Sequence, residues 1–183
     1  MRVSREQVAI NRQKILEAAS RLFRERGYDA VTVADVMSAA GLTHGGFYGY
    51  FKSKDELIAH TLDHVYSQGD DSAINLSRYA ASYLSRQHCD NVALGCPTAA
   101  LAAETARQTP EARAAMAAGL ERQIERFCAG MKGNDAKAAR RAAIGGWSAM
   151  VGAVVLARLF DDPALSDEIL EATRQWVDER KSG

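Results

Sequence analysis

The sequence predicts an all-α fold, and three observations carry that reading. Apolar residues recur at i, i+3, i+4 and i+7 along most of the chain, no run alternates as a strand does, and all three prolines (Pro97, Pro110, Pro163) stand where a helix would begin. With 183 residues and a 47% hydrophobic fraction, the chain suffices for one or two small domains. Two are expected: a short head over residues 1–52 and a longer helical body over residues 53–183.

The first element runs from Asn11 to Arg26, with Ile15, Leu16, Ala19, Leu22 and Phe23 on one face and Gly27 as its stop. Thr32 then caps a helix whose apolar positions are Val33, Val36, Met37 and Ala40, and Asp35 completes a capping box. Gly41 ends that helix, because only glycine adopts the left-handed conformation cheaply. Thr43 is the next cap and opens a short helix over HGGFYGY. Gly46 and Gly49 each lower its helix propensity by roughly 1 kcal/mol relative to Ala. Ser53 and Glu56 form a second capping box ahead of a helix carrying Leu57, Ile58, Thr61, Leu62 and Val65.

Helix, glycine turn and short helix make a helix-turn-helix, whose second helix suits the major groove of DNA. Thr32 and Thr43 start helices, where hydroxyls and backbone N–H groups favour phosphate oxygens. Tyr48 and Tyr50 carry phenol hydroxyls on a helix too short to bury both rings, and Lys54 reaches a further phosphate; such contacts position without reading sequence. His44 is the candidate for base readout, with an idle exposed turn residue as its other role. Gly45 and Gly46 give the DNA close access.

These residues also carry a resemblance. Ile15-Leu16-Glu17-Ala18-Ala19, Leu22-Phe23, Gly27-Tyr28, Thr32-Val33, Ala39-Ala40-Gly41-Leu42, Phe47-Tyr48 and Tyr50-Phe51-Lys52-Ser53-Lys54-Asp55-Glu56-Leu57 resemble the N-terminal domain of TetR/AcrR-family bacterial transcriptional regulators. Tyr50 stands where that pattern usually has His, and Gly49 where it usually has a bulkier residue. The resemblance implies a homodimer on a pseudo-palindromic operator, released by a small molecule.

Beyond residue 65 a break is expected at Gln68–Asp71, then helices over Ser72–Arg86, Pro97–Gln108, Pro110 to about Gly130, Asp135–Phe160, and from Pro163 onward, with a turn at Gly133-Asn134. The helix over 135–160 interleaves Gly145, Gly146, Ser148, Ala149, Gly152 and Ala153 with large apolar residues, so it needs cover on several sides. A partner subunit supplies it in this reading, through Trp147, Val151, Val154, Val155, Ile169 and Trp176. A central helix buried in a monomer is the alternative. Tyr66, Tyr83, Cys96, Met116, Phe127, Trp147 and Met150 are candidate effector contacts, residue types that more often serve as plain core. Cys96 lies at a helix start, where the dipole favours a thiolate. The run Leu94-Gly95-Cys96 with Leu101-Ala102-Ala103-Glu104 resembles a branch of the family that senses electrophiles or oxidants; a small buried cysteine is the alternative.

Charge limits the partners. The chain carries 23 basic and 23 acidic residues. Residues 1–56 hold nine Lys/Arg against seven Asp/Glu. DNA affinity must therefore come from placed contacts, doubled by dimerisation, and not from bulk charge. No signal-peptide pattern and no long apolar run appear, so a cytoplasmic protein without a membrane partner is expected. Three cysteines form no disulfide framework, no cofactor or metal set is expected, and the short-spaced ligand pairs of zinc sites are absent. A cysteine- or metal-dependent enzyme using His88, Cys89, Cys96 or Cys128 is one alternative. A helix-turn-helix used only for protein contact is another.

Overall fold

The computed structural model describes residues 4–69, 71–131 and 135–179. Among these there are nine α-helices, one 3-10 helix and no strand. The elements are α1 (Arg5–Arg26), α2 (Val33–Ala39), the 3-10 helix His44–Gly49, α3 (Lys54–Ser67), α4 (Leu76–Tyr83), α5 (Arg86–Asp90), α6 (Pro97–Thr105), α7 (Pro110–Ala129), α8 (Ala136–Ala157) and α9 (Pro163–Glu179). The expected turn at Gly133-Asn134, and Asp70 of the expected break, lie outside the described residues.

The chain forms two compact units. One comprises residues 1–69 and 100–119, the other residues 70–99 and 120–183. This differs from an expected cut after Lys52, because α3 packs on α1 and stays with the head.

In the head, Ile15, Leu22, Phe23, Val36, Met37, Phe47, Phe51 and Leu57 are buried. Helix α1 begins six residues earlier than Asn11, because the Ser4 hydroxyl accepts from the Gln7 N–H. Helix α2 ends as expected at Gly41 (φ +72°). The Leu42 N–H donates to the Met37 carbonyl and the Gly41 N–H to the Ser38 carbonyl, a complete Schellman motif. Residues 100–119 tie into the head through Glu104 and Thr105. The Glu104 carboxylate accepts from the Tyr28 N–H at 2.7 Å, and Tyr28 Oη lies 2.9 Å from Thr105 Oγ1. Burial pushes the Tyr28 phenol up to about 12, so it stays a neutral hydrogen-bonding group.

The second unit is built on Tyr83, Phe127, Trp147, Met150, Val154 and Leu170. The single helix expected over Ser72–Arg86 is instead two. Asn75 caps α4 and Ser85 caps α5, while the Ile74 N–H is satisfied outside any helix, by the Arg126 carbonyl. Arg86 fixes the start of α9 by donating to Ser166 Oγ at 3.0 Å and to the Pro163 carbonyl at 2.9 Å.

Candidate functional site

The glycine turn and the short helix after it present most of the candidate DNA residues together. Thr32, Thr43, His44, Gly45 and Tyr48 are exposed, while Gly46, Tyr50 and Lys54 are half-buried. The helix over His44–Gly49 is 3-10 and not α. Its glycines lower α propensity through their backbone freedom, and the buried Phe47 ring anchors it. Tyr48 points outward with 72% of its surface exposed. Thr43 makes no side-chain cap bond.

Thr32 requires a correction. Its N–H donates to Asp35 Oδ2 at 2.8 Å and its hydroxyl to the same oxygen at 2.6 Å. Both donors are spent inside the capping box, so a phosphate reaches them only by displacing Asp35. The two Thr32 bonds hold the Asp35 carboxyl below the usual carboxylate range. The second capping box is offset where the first is complete: Ser53 Oγ accepts from the Glu56 N–H, but the Glu56 carboxylate accepts from the Lys52 N–H, one residue before the cap.

Sequence reading passed over Asn11 and Arg12. Asn11 Nδ2 donates to Tyr50 Oη at 2.9 Å, orienting that phenol. The Arg12 guanidinium lies 4.9 Å from the Phe51 ring centroid, so its charge sits over an aromatic face. Both are half-buried and continue the apolar face toward the start of α1, Arg12 standing three and four residues before Ile15 and Leu16 and Asn11 four before Ile15.

The candidate effector residues do not form one set. Tyr66 and Met116 belong to the head unit, and Tyr83, Cys96, Phe127, Trp147 and Met150 to the other. In the second group Tyr79, which the sequence reading omitted, completes an aromatic cluster. Its ring stands 5.5 Å from Tyr83, 5.2 Å from Phe127 and 6.0 Å from Trp147. Burial raises the phenols of Tyr79 and Tyr83 well above their ordinary value.

Cys96 is buried and His88 lies beside it. The His88 imidazole bridges two backbone groups: Nδ1–H donates to the Tyr83 carbonyl at 2.6 Å, and Nε2 accepts from the Cys96 N–H at 3.2 Å. Neither nitrogen is left to deprotonate a thiol, which removes the basis for a Cys–His catalytic pair. Among the described residues no group of three or more His, Cys, Asp and Glu is placed to hold a metal ion.

The bridge also carries a pH prediction. Desolvation, and then the nearby Arg158 charge, lower the His88 pKa against the opposing Tyr83 hydrogen bond. Folding therefore favours neutral His88. Its contribution is fully present above the unfolded value near 6.5 and is lost as pH falls through the lowered folded value. Melting curves between pH 7.5 and 5.5 are expected to show a smaller acid-induced fall in Tm for His88→Gln than for the parent. Equal falls would remove His88 as the cause.

The expected dimer seam also changes. Trp147 (7% exposed) and Val154 (0%) are covered by this chain's own side chains, so they offer no surface to a partner. Val151 and Ile169 pack against the same core. Val155 and Trp176 do reach the surface, at 38% and 37%. Ile144, one of the large residues interleaved with the small ones, is exposed, as are Leu156, Leu159 and Phe160, which the reading missed. Gly146 is not part of an open stripe, because a Cβ there would meet Leu76 Cδ2 at 2.8 Å; at Gly145 and Gly152 it would meet nothing within 4 Å.

Comparison with known proteins agrees with this layout. Residues 15–61 match the bacterial regulatory proteins of the tetR family. Over 70 residues the chain is 37% identical to the HTH-type transcriptional regulator TtgR of Pseudomonas putida, covering 38% of this chain and 33% of that one. Over 56 residues it is 38% identical to the HTH-type transcriptional repressor KstR2 of Mycolicibacterium smegmatis, covering 31% and 27%. The matched stretch thus spans about a third of these curated relatives. Among solved structures, the reduced form of E. coli NemR superposes with a TM-score of 0.73 at 21% identity, over 92% of this chain and 95% of that one. A TetR transcriptional regulator from Chloroflexus aurantiacus gives 0.73 at 20% identity, over 95% and 97%. Residues 15–61 thus resemble the head of the tetR family of bacterial regulatory proteins, and the described chain shares the all-helical fold of these solved structures.

Proposed function

We propose that this protein is a cytoplasmic DNA-binding transcriptional regulator, a repressor that holds a pseudo-palindromic operator as a homodimer and leaves it when a small molecule binds the body. The observation that carries the reading is the exposed Thr43–Tyr50 turn, fixed from beneath by Phe47 and presenting Tyr48 outward. Thr43, His44, Tyr48 and Lys54 are its DNA residues in this proposal, with Tyr50 held in place by Asn11.

Dimerisation is proposed through one stripe of α8. Ile144, Ser148, Gly152 and Val155 follow a helical repeat and reach the surface, Leu159 just past the helix end is exposed, and Trp176 of α9 is exposed as well. Two-fold pairing there would set the heads about 34–36 Å apart, or a multiple of that, to match successive half-sites. The relatives' printed names, a transcriptional regulator and a transcriptional repressor, support the direction of control.

Fluorescence anisotropy on the intergenic DNA beside its own gene, at stated salt, tests this. The parent is expected to bind tightly and as a dimer. Tyr48→Phe removes one hydrogen bond and should weaken binding about 2- to 13-fold, the equivalent of about 0.5–1.5 kcal/mol. Lys54→Ala should lower the salt slope by about one. Repeating the titration with a quinone on the parent and on Cys96→Ser assigns release to Cys96, where only the parent lets go, or to a reversible ligand. Failure to retain any DNA would leave the turn as a protein-contact module instead.

A further inference from the structure

Three buried hydrogen-bond donors gather where α6 begins. Tyr83 is 4% exposed, and its hydroxyl has nothing better than the weakly polar Cys96 thiol beside it. Trp147, whose ring stands 5.3 Å from Tyr83's, has a buried Nε1–H with no acceptor. Arg158 donates Nε–H to the Cys89 carbonyl at 2.8 Å, yet its Nη2 is buried and unpartnered.

Arg158 Nη2 lies beside Gly95, and its charge acts on the Tyr83 phenol. A Cβ at Gly95, the residue before Cys96, would lie 3.3 Å from Arg158 Nη2 and 3.5 Å from His88 Nε2. No ion pair joins Arg158 to any carboxylate among the described residues. Its charge is permanent, and a buried guanidinium nitrogen without an acceptor is costly. The nearest ring nitrogen gives no relief, since His88 Nε2 is already accepting from the Cys96 N–H.

We propose that this cluster is an anion-recognition point for a small organic carboxylate, with one ligand oxygen taken by Arg158 Nη2 and Tyr83 Oη. The assignment rests on the effector reading above and names the class of molecule it takes. One guanidinium matches one negative charge. The surroundings (Tyr79, Phe127, Met150) are apolar, which disfavours a dianion such as phosphate and suits a monoanion with an apolar body. The dipole at the start of α6 adds to the same positive potential.

Benzoate is the probe, with benzamide as its neutral counterpart and acetate as the smaller carboxylate. Thermal melts and calorimetry at matched ionic strength should show a saturable rise in Tm with benzoate and none with benzamide. Arg158→Gln is expected to weaken benzoate at least 10-fold, and Tyr83→Phe 2- to 13-fold. Equal responses to benzoate and benzamide, no saturable response to benzoate or acetate, or full benzoate affinity in Arg158→Gln would each overturn the proposal. Should Arg158→Gln not fold, the parent's benzoate–benzamide contrast and Tyr83→Phe decide alone. Anisotropy on operator DNA separates the two readings. Benzoate that binds without releasing DNA removes the regulatory role and keeps the site; absence of DNA binding removes the regulator reading, and benzoate binding is judged independently.

Discussion

Phe47→Ala is expected to unfold the head and abolish DNA binding. The ring is fully buried, packs edge-on to Tyr48 at 5.3 Å, and stacks with Phe51 at 5.9 Å. Truncating a buried Phe costs about 3–5 kcal/mol, a large share of the roughly 5–15 kcal/mol that hold a domain together. Little else fastens this stretch. Its backbone bonds are short-range, from Gly46 N–H to Thr43, and from Tyr50 and Phe51 N–H to Phe47. Tyr48→Ala makes the informative contrast, because a ring 72% exposed contributes little to stability. That variant should unfold in urea within about 0.5 kcal/mol of the parent and still lose DNA affinity. A Phe47→Ala protein within about 1 kcal/mol of the parent would show that Phe47 does not anchor the turn.

What sequence could tell in advance was local. The Thr32–Asp35 box, the Gly41 turn and the Pro110 helix start depend on residues within four positions of each other, and the structure has them all. The recognition turn was legible as short but not as 3-10, because glycine content lowers α propensity without choosing the alternative. Chain-distant partners left no trace in any window. Nothing around Tyr28 announces Glu104, and nothing around Ile74 announces the Arg126 carbonyl that pulls it out of α4. Helix α8 shows the limit most plainly. Its apolar residues surround the axis, so periodicity could not say which of them face their own chain. Trp147 and Val154 turned inward to the Tyr79–Phe127 cluster, while Val155, one position on from Val154, reached the surface. Unpartnered donors such as Tyr83 Oη and Arg158 Nη2 are likewise invisible until the packing around them is known.

Gly130→Ala is expected to destabilise the second unit although it adds a single methyl group. A Cβ at Gly130 would stand 2.0 Å from the Ile74 carbonyl oxygen and 2.4 Å from its carbon. Both are backbone atoms, so no rotamer change relieves the contact. The strand of backbone before α4 cannot retreat freely either, because the Ile74 N–H is bonded to the Arg126 carbonyl at 3.0 Å and Arg126 Nε donates to the Ser72 carbonyl at 3.1 Å. Relief must therefore come from shifting the end of α7, where Phe127 is fully buried against Trp147 at 5.7 Å. Overpacking of this kind costs about 1–3 kcal/mol or more, against the few tenths that Ala would ordinarily gain over Gly near a helix end. Urea unfolding should show a lower midpoint with an unchanged slope. The aromatic cluster should loosen with it, read as a red shift in tryptophan emission and weaker benzoate binding at the start of α6. A variant as stable as the parent would mean that the 71–75 segment yields more easily than its two hydrogen bonds imply, and that Gly130 is there for the turn alone.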